Sequence, residues 1–103
     1  MGKSRTELHQ KLVTILGNDH VYFQPPESVK MVYPAIVYNL SDFYQRQADN
    51  KNYVVDKRYT VTYIHRDPDS TLYHQMFEAF EYCRFDRRFV NDNLYHDVYS
   101  IYY

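Results

Sequence analysis

The sequence predicts an α+β fold: an antiparallel or mixed sheet of about four strands with two amphipathic helices on one face, in the order α-β-β-β-α-β. Three observations predict it. Two segments repeat apolar residues at one-face helical spacing, one long segment alternates apolar and polar residues, and the runs between them have strand composition. The 103 residues make one domain, 1–103, because domains run to roughly 100–200 residues and a chain of this size buries about 60 to 70% of its unfolded surface.

The elements follow in chain order. Ser4 with Glu7 forms a capping box, after which Leu8, Leu12, Ile15 and Leu16 share a helical face until Gly17-Asn18 supplies a stop. His20-Val21-Tyr22-Phe23-Gln24 reads as a short edge strand, ended by Pro25-Pro26, which cannot donate to a ladder. Residues 27–33 connect to Ala35-Ile36-Val37-Tyr38-Asn39-Leu40, apolar on both faces and therefore an inner strand. From Ser41 to Asn52 the chain is polar and rich in turn formers, which predicts a long hairpin tip or a mobile loop. Tyr53, Val55, Tyr59, Val61 and Tyr63 then alternate with Asp56, Arg58, Thr60 and Thr62, a strand with one apolar and one wet face. Asp67-Pro68-Asp69-Ser70 starts a turn, and Asp69 or Ser70 is the expected cap of a second helix whose stripe is Leu72, Met76, Ala79, Phe80 and Cys83. After Arg84 the pattern breaks over Phe85 to Val90. Asn91-Asp92-Asn93 is a turn, and Leu94 to Tyr103 is a closing strand. Both helices fit over one sheet face, leaving the other with Thr, Arg and Asp, and leaving the sheet edges in want of a partner.

Charge and composition exclude several classes of function. Lys and Arg number 12 against 13 Asp and Glu, a formal charge of −1, which argues against wholesale neutralisation of nucleic-acid phosphates. Cys83 is the one cysteine, so an internal disulfide or a multi-thiolate metal site is excluded. The two glycines, Gly2 and Gly17, cannot build a phosphate-cradling loop. No apolar run approaches the ~20 residues that span a bilayer, and a soluble, cytosolic product without a leader is expected. Thirteen Tyr and six Phe with no Trp suit either a Tyr-rich sheet or an assembly surface.

The polar residues form no recognisable machinery. Histidines 9, 20, 65, 74 and 96 make no metal-binding pair on a helix face; His74 and Glu78 read as a solvated helix pair, and adjacent His96 and Asp97 point to opposite faces of a strand. His65-Arg66-Asp67 matches a kinase catalytic-loop triplet but reads as the start of a turn. Cys83 reads as a buried hydrophobe. Arg84-Phe85-Asp86-Arg87-Arg88-Phe89 interleaves bases with aromatics, which suits either a grip on single-stranded nucleic acid or a loop pinned to the core. No catalytic, cofactor-binding or metal-binding residue is assigned, and the chain is not expected to be an enzyme.

Several stretches taken together carry a resemblance: Val21-Tyr22-Phe23-Gln24-Pro25-Pro26, Met31-Val32-Tyr33-Pro34-Ala35-Ile36-Val37-Tyr38, Tyr59-Thr60-Val61-Thr62, Asp67-Pro68-Asp69-Ser70 and Asp92-Asn93-Leu94-Tyr95-His96-Asp97-Val98. Over Leu8 to Tyr102 the chain resembles the tail terminator, tail completion or neck proteins of long-tailed bacteriophages. The resemblance implies a virion protein with no cofactor. It would close into a hexameric ring at the head-proximal end of the tail tube, between the major tail tube protein and the head-tail connector or head-closure protein. DNA would pass through the lumen without specific binding, and no membrane is involved. Another neck component, such as a head-closure ring protein, or a small nucleic-acid-binding module are the alternatives. Contact residues are inferred from position: Phe43, Tyr44, Arg46, Asp49 and Lys51 in the 41–52 loop, with Arg87, Arg88 and Tyr102.

Overall fold

The computed structural model describes residues 4–48 and 51–103, apart from the side chains of 44–46, 48 and 52–56. Helix α1 spans Arg5–Leu16 and helix α2 spans Leu72–Ala79. The strands are β1 (Val21–Phe23), β2 (Ala35–Ala48), β3 (Lys51–His65), β4 (Tyr82–Asn91) and β5 (Leu94–Tyr102). They form one sheet in the order β1-β2-β3-β5-β4, with β1 parallel to β2 and the other pairs antiparallel. The fold is α+β with a mixed sheet.

The ends of α1 are set by single residues. Ser4 Oγ accepts the Glu7 N–H at 3.2 Å, and Gly17, at φ 83°, donates its N–H to Val13 O at 2.9 Å. A Cβ at position 17 would meet nothing within 4 Å, so the demand for glycine lies in the left-handed backbone alone. Gly17→Ala is therefore expected to cost about 1 kcal/mol, read as a lower urea midpoint at unchanged slope.

Register explains the core. Ile36 pairs with Tyr63, Tyr38 with Val61, Val61 with Tyr99 and Tyr59 with Ile101, so these residues share one face of the sheet. Leu8 and Leu12 of α1 and Leu72 and Met76 of α2 close over that face, with Phe80 and Tyr103 beside them, all buried. Tyr38 is bolted to α1 as well, its hydroxyl donating to or accepting from His9 Nδ1 at 2.6 Å and accepting from Arg5 at 3.1 Å.

Three expectations need correction. First, the polar run from Ser41 to Asn52 is largely strand: β2 continues to Ala48 and β3 begins at Lys51, while Asp49 and Asn50 lie outside the described residues. Backbone pairing needs no apolar alternation, and register shifts at Leu40/Asp42 and Tyr44/Gln45 break the period further. Second, the sheet has a fifth strand, β4, and Cys83 belongs to it. Helix α2 ends at Ala79, and Phe80 is already extended (φ −121°, ψ 131°). A bulge between Phe85 and Arg87 switches the face on which successive side chains fall, hiding the alternation from any fixed period. Third, Thr71 occupies the cap position of α2 without a side-chain bond; Ser70 Oγ accepts the Leu72 N–H at 3.5 Å instead.

The turn between β4 and β5 is as tight as its residues suggested. Asp92 (φ 53°) and Asn93 (φ 62°) are both left-handed, the pair of conformations that a two-residue hairpin requires. The sheet face away from the helices is mixed: Thr60 and Thr62 are half-buried and Arg84 and Arg87 exposed, but Ile64 and Val98 are buried there.

Candidate functional site

Two surfaces leave backbone and apolar groups unmatched. The first is a ribbon. Strand β1 pairs β2 only at Ile36–Tyr38, and β5 pairs β3 only from Arg58 to His65. Beyond those limits residues 42–48 and 51–57 form ladder pairs with each other, Lys57 at the base also meeting the chain end, giving an arm roughly 24 Å long on a molecule of 51 × 31 × 23 Å. A two-stranded hairpin is marginally stable in water by itself. Its base is fixed: Ser41 Oγ donates to Arg58 O at 3.0 Å and accepts from Arg58 Nε at 3.3 Å, and Tyr103 N donates to Lys57 O at 2.9 Å. Phe43 is 48% exposed on this arm, and Asp42 is exposed beside it, one carboxylate oxygen accepting the Phe43 N–H at 2.8 Å.

The second surface is the β4 edge, paired only to β5. Tyr82, Phe85, Phe89 and Val90 are exposed along it. Its arginines have different situations. Arg84 pairs with Asp86 at 2.8 Å, and Asp86 also accepts the Ser100 hydroxyl at 2.6 Å. Burial would raise the Asp86 pKa, but these hydrogen bonds and nearby guanidinium groups win and hold it low. Arg88 is turned to the helix side and bound to Asp97. Arg87 lies over the Phe89 ring at 5.4 Å and has no carboxylate at ion-pair distance among the described residues. With two of three guanidiniums spent on carboxylates, the stretch is poorly charged for gripping phosphates.

Beside this edge Tyr73, Phe77, Phe85 and Arg88 line an apolar notch of about 300 Å³. Two of these rings are held by buried Tyr99, in edge contact with Phe77 (6.4 Å) and Phe85 (5.3 Å). Of the expected contact residues, Arg87 and Tyr102 lie on the face away from the helices and Arg88 on the other, while Phe43 and Lys51 sit on the arm. Tyr44 and Arg46 have backbone in β2 with side chains outside the description, and Asp49 lies outside it altogether. The five whose side chains are described thus divide between the arm and the two faces of the β4–β5 pair.

Sequence reasoning missed a third feature. His65 and Asp97, both 2% exposed, are joined from Nε2 to Oδ2 at 2.8 Å. Arg88 grips the same carboxylate through Nε and, at 3.0 Å, Nη2, and its Nη1 donates to Pro68 O at 3.1 Å. His65 Nδ1 accepts the Asp67 N–H at 3.2 Å, which puts the imidazole proton on Nε2, facing Asp97. Both ring nitrogens are therefore occupied, and His65 stacks on Tyr63 at 4.2 Å. This group ties β3, β4, β5 and the turn before α2 together; it has no free nitrogen to move a substrate proton. The signal lay in β5, where a lone Asp97 shares its face with Tyr99 and Ile101 and so demands a buried cation or donor.

Cys83 is half-buried, and burial together with Asp86 pushes its thiol up to about 11. At pH 8 roughly 0.1% of it is thiolate, so a disulfide reagent is expected to label the native protein far more slowly than the urea-unfolded chain. Equal rates in the two states would contradict that burial.

Among the described residues no group of three or more His, Cys, Asp or Glu is placed to hold a metal ion, and no helix is long and apolar enough to cross a membrane. In comparison with known proteins, the chain matches no family model and no curated sequence.

Proposed function

We propose that this protein is a structural subunit of a long-tailed bacteriophage neck: a tail terminator or tail completion protein that caps the tail tube as a ring and presents a surface to the head connector. One observation carries the reading. A single small domain bears a protruding two-stranded arm and, elsewhere, a free ten-residue strand edge with exposed Tyr82, Phe85, Phe89 and Val90. Two dissimilar unmatched surfaces on one subunit suit heterologous, head-to-tail association, which closes into a ring when the rotation per subunit divides a full turn. The near-neutral charge of −1 supports a lumen that lets DNA slide without holding it. The sequence resemblance supplies the station in the particle.

The test is light scattering and negative-stain electron microscopy of the purified chain, alone and with tail tubes, together with particles lacking the gene product. Rings that cap tubes, and tails of abnormal length in the mutant, are the expected result. Normal tails beside leaking heads would move the subunit to head closure, and a chain that stays monomeric and never caps a tube would overturn the reading.

A further inference from the structure

We propose that the arm of one copy adds as a strand to the β4 edge of the next, seating Phe43 in the notch of Tyr73, Phe77 and Phe85 and setting Asp42 against Arg87. The inference rests on the reading that copies of this chain associate, and adds which surfaces do it.

The edges are available. Among the described residues β2 has no strand paired on its β1 side from Asp42 outward, since β1 stops pairing at Tyr38, and β4 has none on the side away from β5. Alternate N–H and C=O groups on each strand point outward and are satisfied by another strand as well as by water.

Side-chain chemistry selects the occupant. Phe43 pairs in register with Lys57, which puts it on the helix side of the sheet, and Asp42 pairs with Arg58 on the other side. On β4, Phe85 pairs with Tyr99 and stands on the helix side, whereas Arg87 pairs with Val98 on the other. Adding the arm to β4 with the helices of both copies on the same side therefore answers both needs at once. The exposed phenyl ring meets an apolar notch with room for an aromatic group. The exposed carboxylate meets the one β4 guanidinium that has no carboxylate of its own among the described residues. Arm and edge are different surfaces, so the contact repeats in one direction, as ring closure needs.

The experiment is sedimentation velocity across a concentration series on the full chain. Phe43→Ala is expected to weaken association by about tenfold or more. Asp42→Arg and Arg87→Asp should each weaken it comparably, and the two together in one chain should restore it, because each swapped charge then finds its opposite on the next copy. All three positions are exposed, so far-ultraviolet circular dichroism and melting should match the parent chain, separating lost contact from lost fold. If the parent forms rings and these variants do so equally well, or if the double exchange fails to recover what the single exchanges lost, the arm-to-edge contact is wrong while the ring reading stands. A parent chain that remains monomeric at every concentration, with or without tail tubes, overturns both.

Discussion

Replacing Tyr38 by alanine is expected to remove about 3–5 kcal/mol of stability, while Tyr38→Phe should cost only about 1 kcal/mol. The ring is fully buried, with Phe23 at 5.0 Å, His9 at 5.6 Å and Tyr59 at 6.1 Å between centroids, so truncation opens a cavity where α1 meets β1, β2 and β3. Removing the hydroxyl leaves that packing in place. Its partners, Arg5 and His9, are exposed and half-exposed respectively and regain water, which keeps the second cost small. Burial, followed by the Arg5 charge, holds the His9 pKa below its ordinary value, so the neutral ring is the one that faces Tyr38. Urea unfolding of the two variants beside the parent checks the ratio; similar losses for both would mean that the hydroxyl network, not the ring, holds α1 down.

Asp97→Asn is the second large effect, a loss of about 3 kcal/mol, near the low end for breaking a buried pair because the Arg88 side chain is 32% exposed and can turn partly to water. The asparagine keeps the volume but offers one acceptor oxygen where three donors from His65 and Arg88 converge. The pH dependence has a definite sign. Burial alone would raise the Asp97 pKa, but hydrogen bonds from Arg88 and His65 and their charges lower it. The folded protein thus binds this proton more weakly than the unfolded chain does. The stabilisation is whole above the unfolded carboxyl pKa near ~3.9 and fades as pH falls toward the lower folded value. Urea midpoints taken from pH 7 down to about pH 2 should therefore fall less steeply at the acid end for Asp97→Asn than for the parent. Parallel profiles would show that this carboxylate contributes nothing through its charge.

Local chemistry made much of the fold legible. Ser4 and Gly17 bound α1 because a cap needs an acceptor at one end and a left-handed residue at the other, both readable from residue type. The alternation from Tyr59 to Tyr63 identified the central strand because one side of it is buried and the other is not. Asp92-Asn93 marked a hairpin because few residues tolerate two successive positive φ values.

What the sequence by itself determined is therefore α1, β1, the inner halves of β2 and β3, α2 and β5, elements whose side chains record burial on one side or, in the inner half of β2, an apolar run on both. Tertiary structure alone decided the rest. The outer halves of β2 and β3 form a ribbon because their backbones satisfy each other, a force blind to side-chain polarity. Strand β4 was masked because a bulge at Phe85/Arg87 shifts its parity. The union of His65, Arg88 and Asp97 exists only through register, which brings together residues from three strands that no local spacing connects. Side-chain pattern records burial, whereas pairing partners are a property of the assembled sheet.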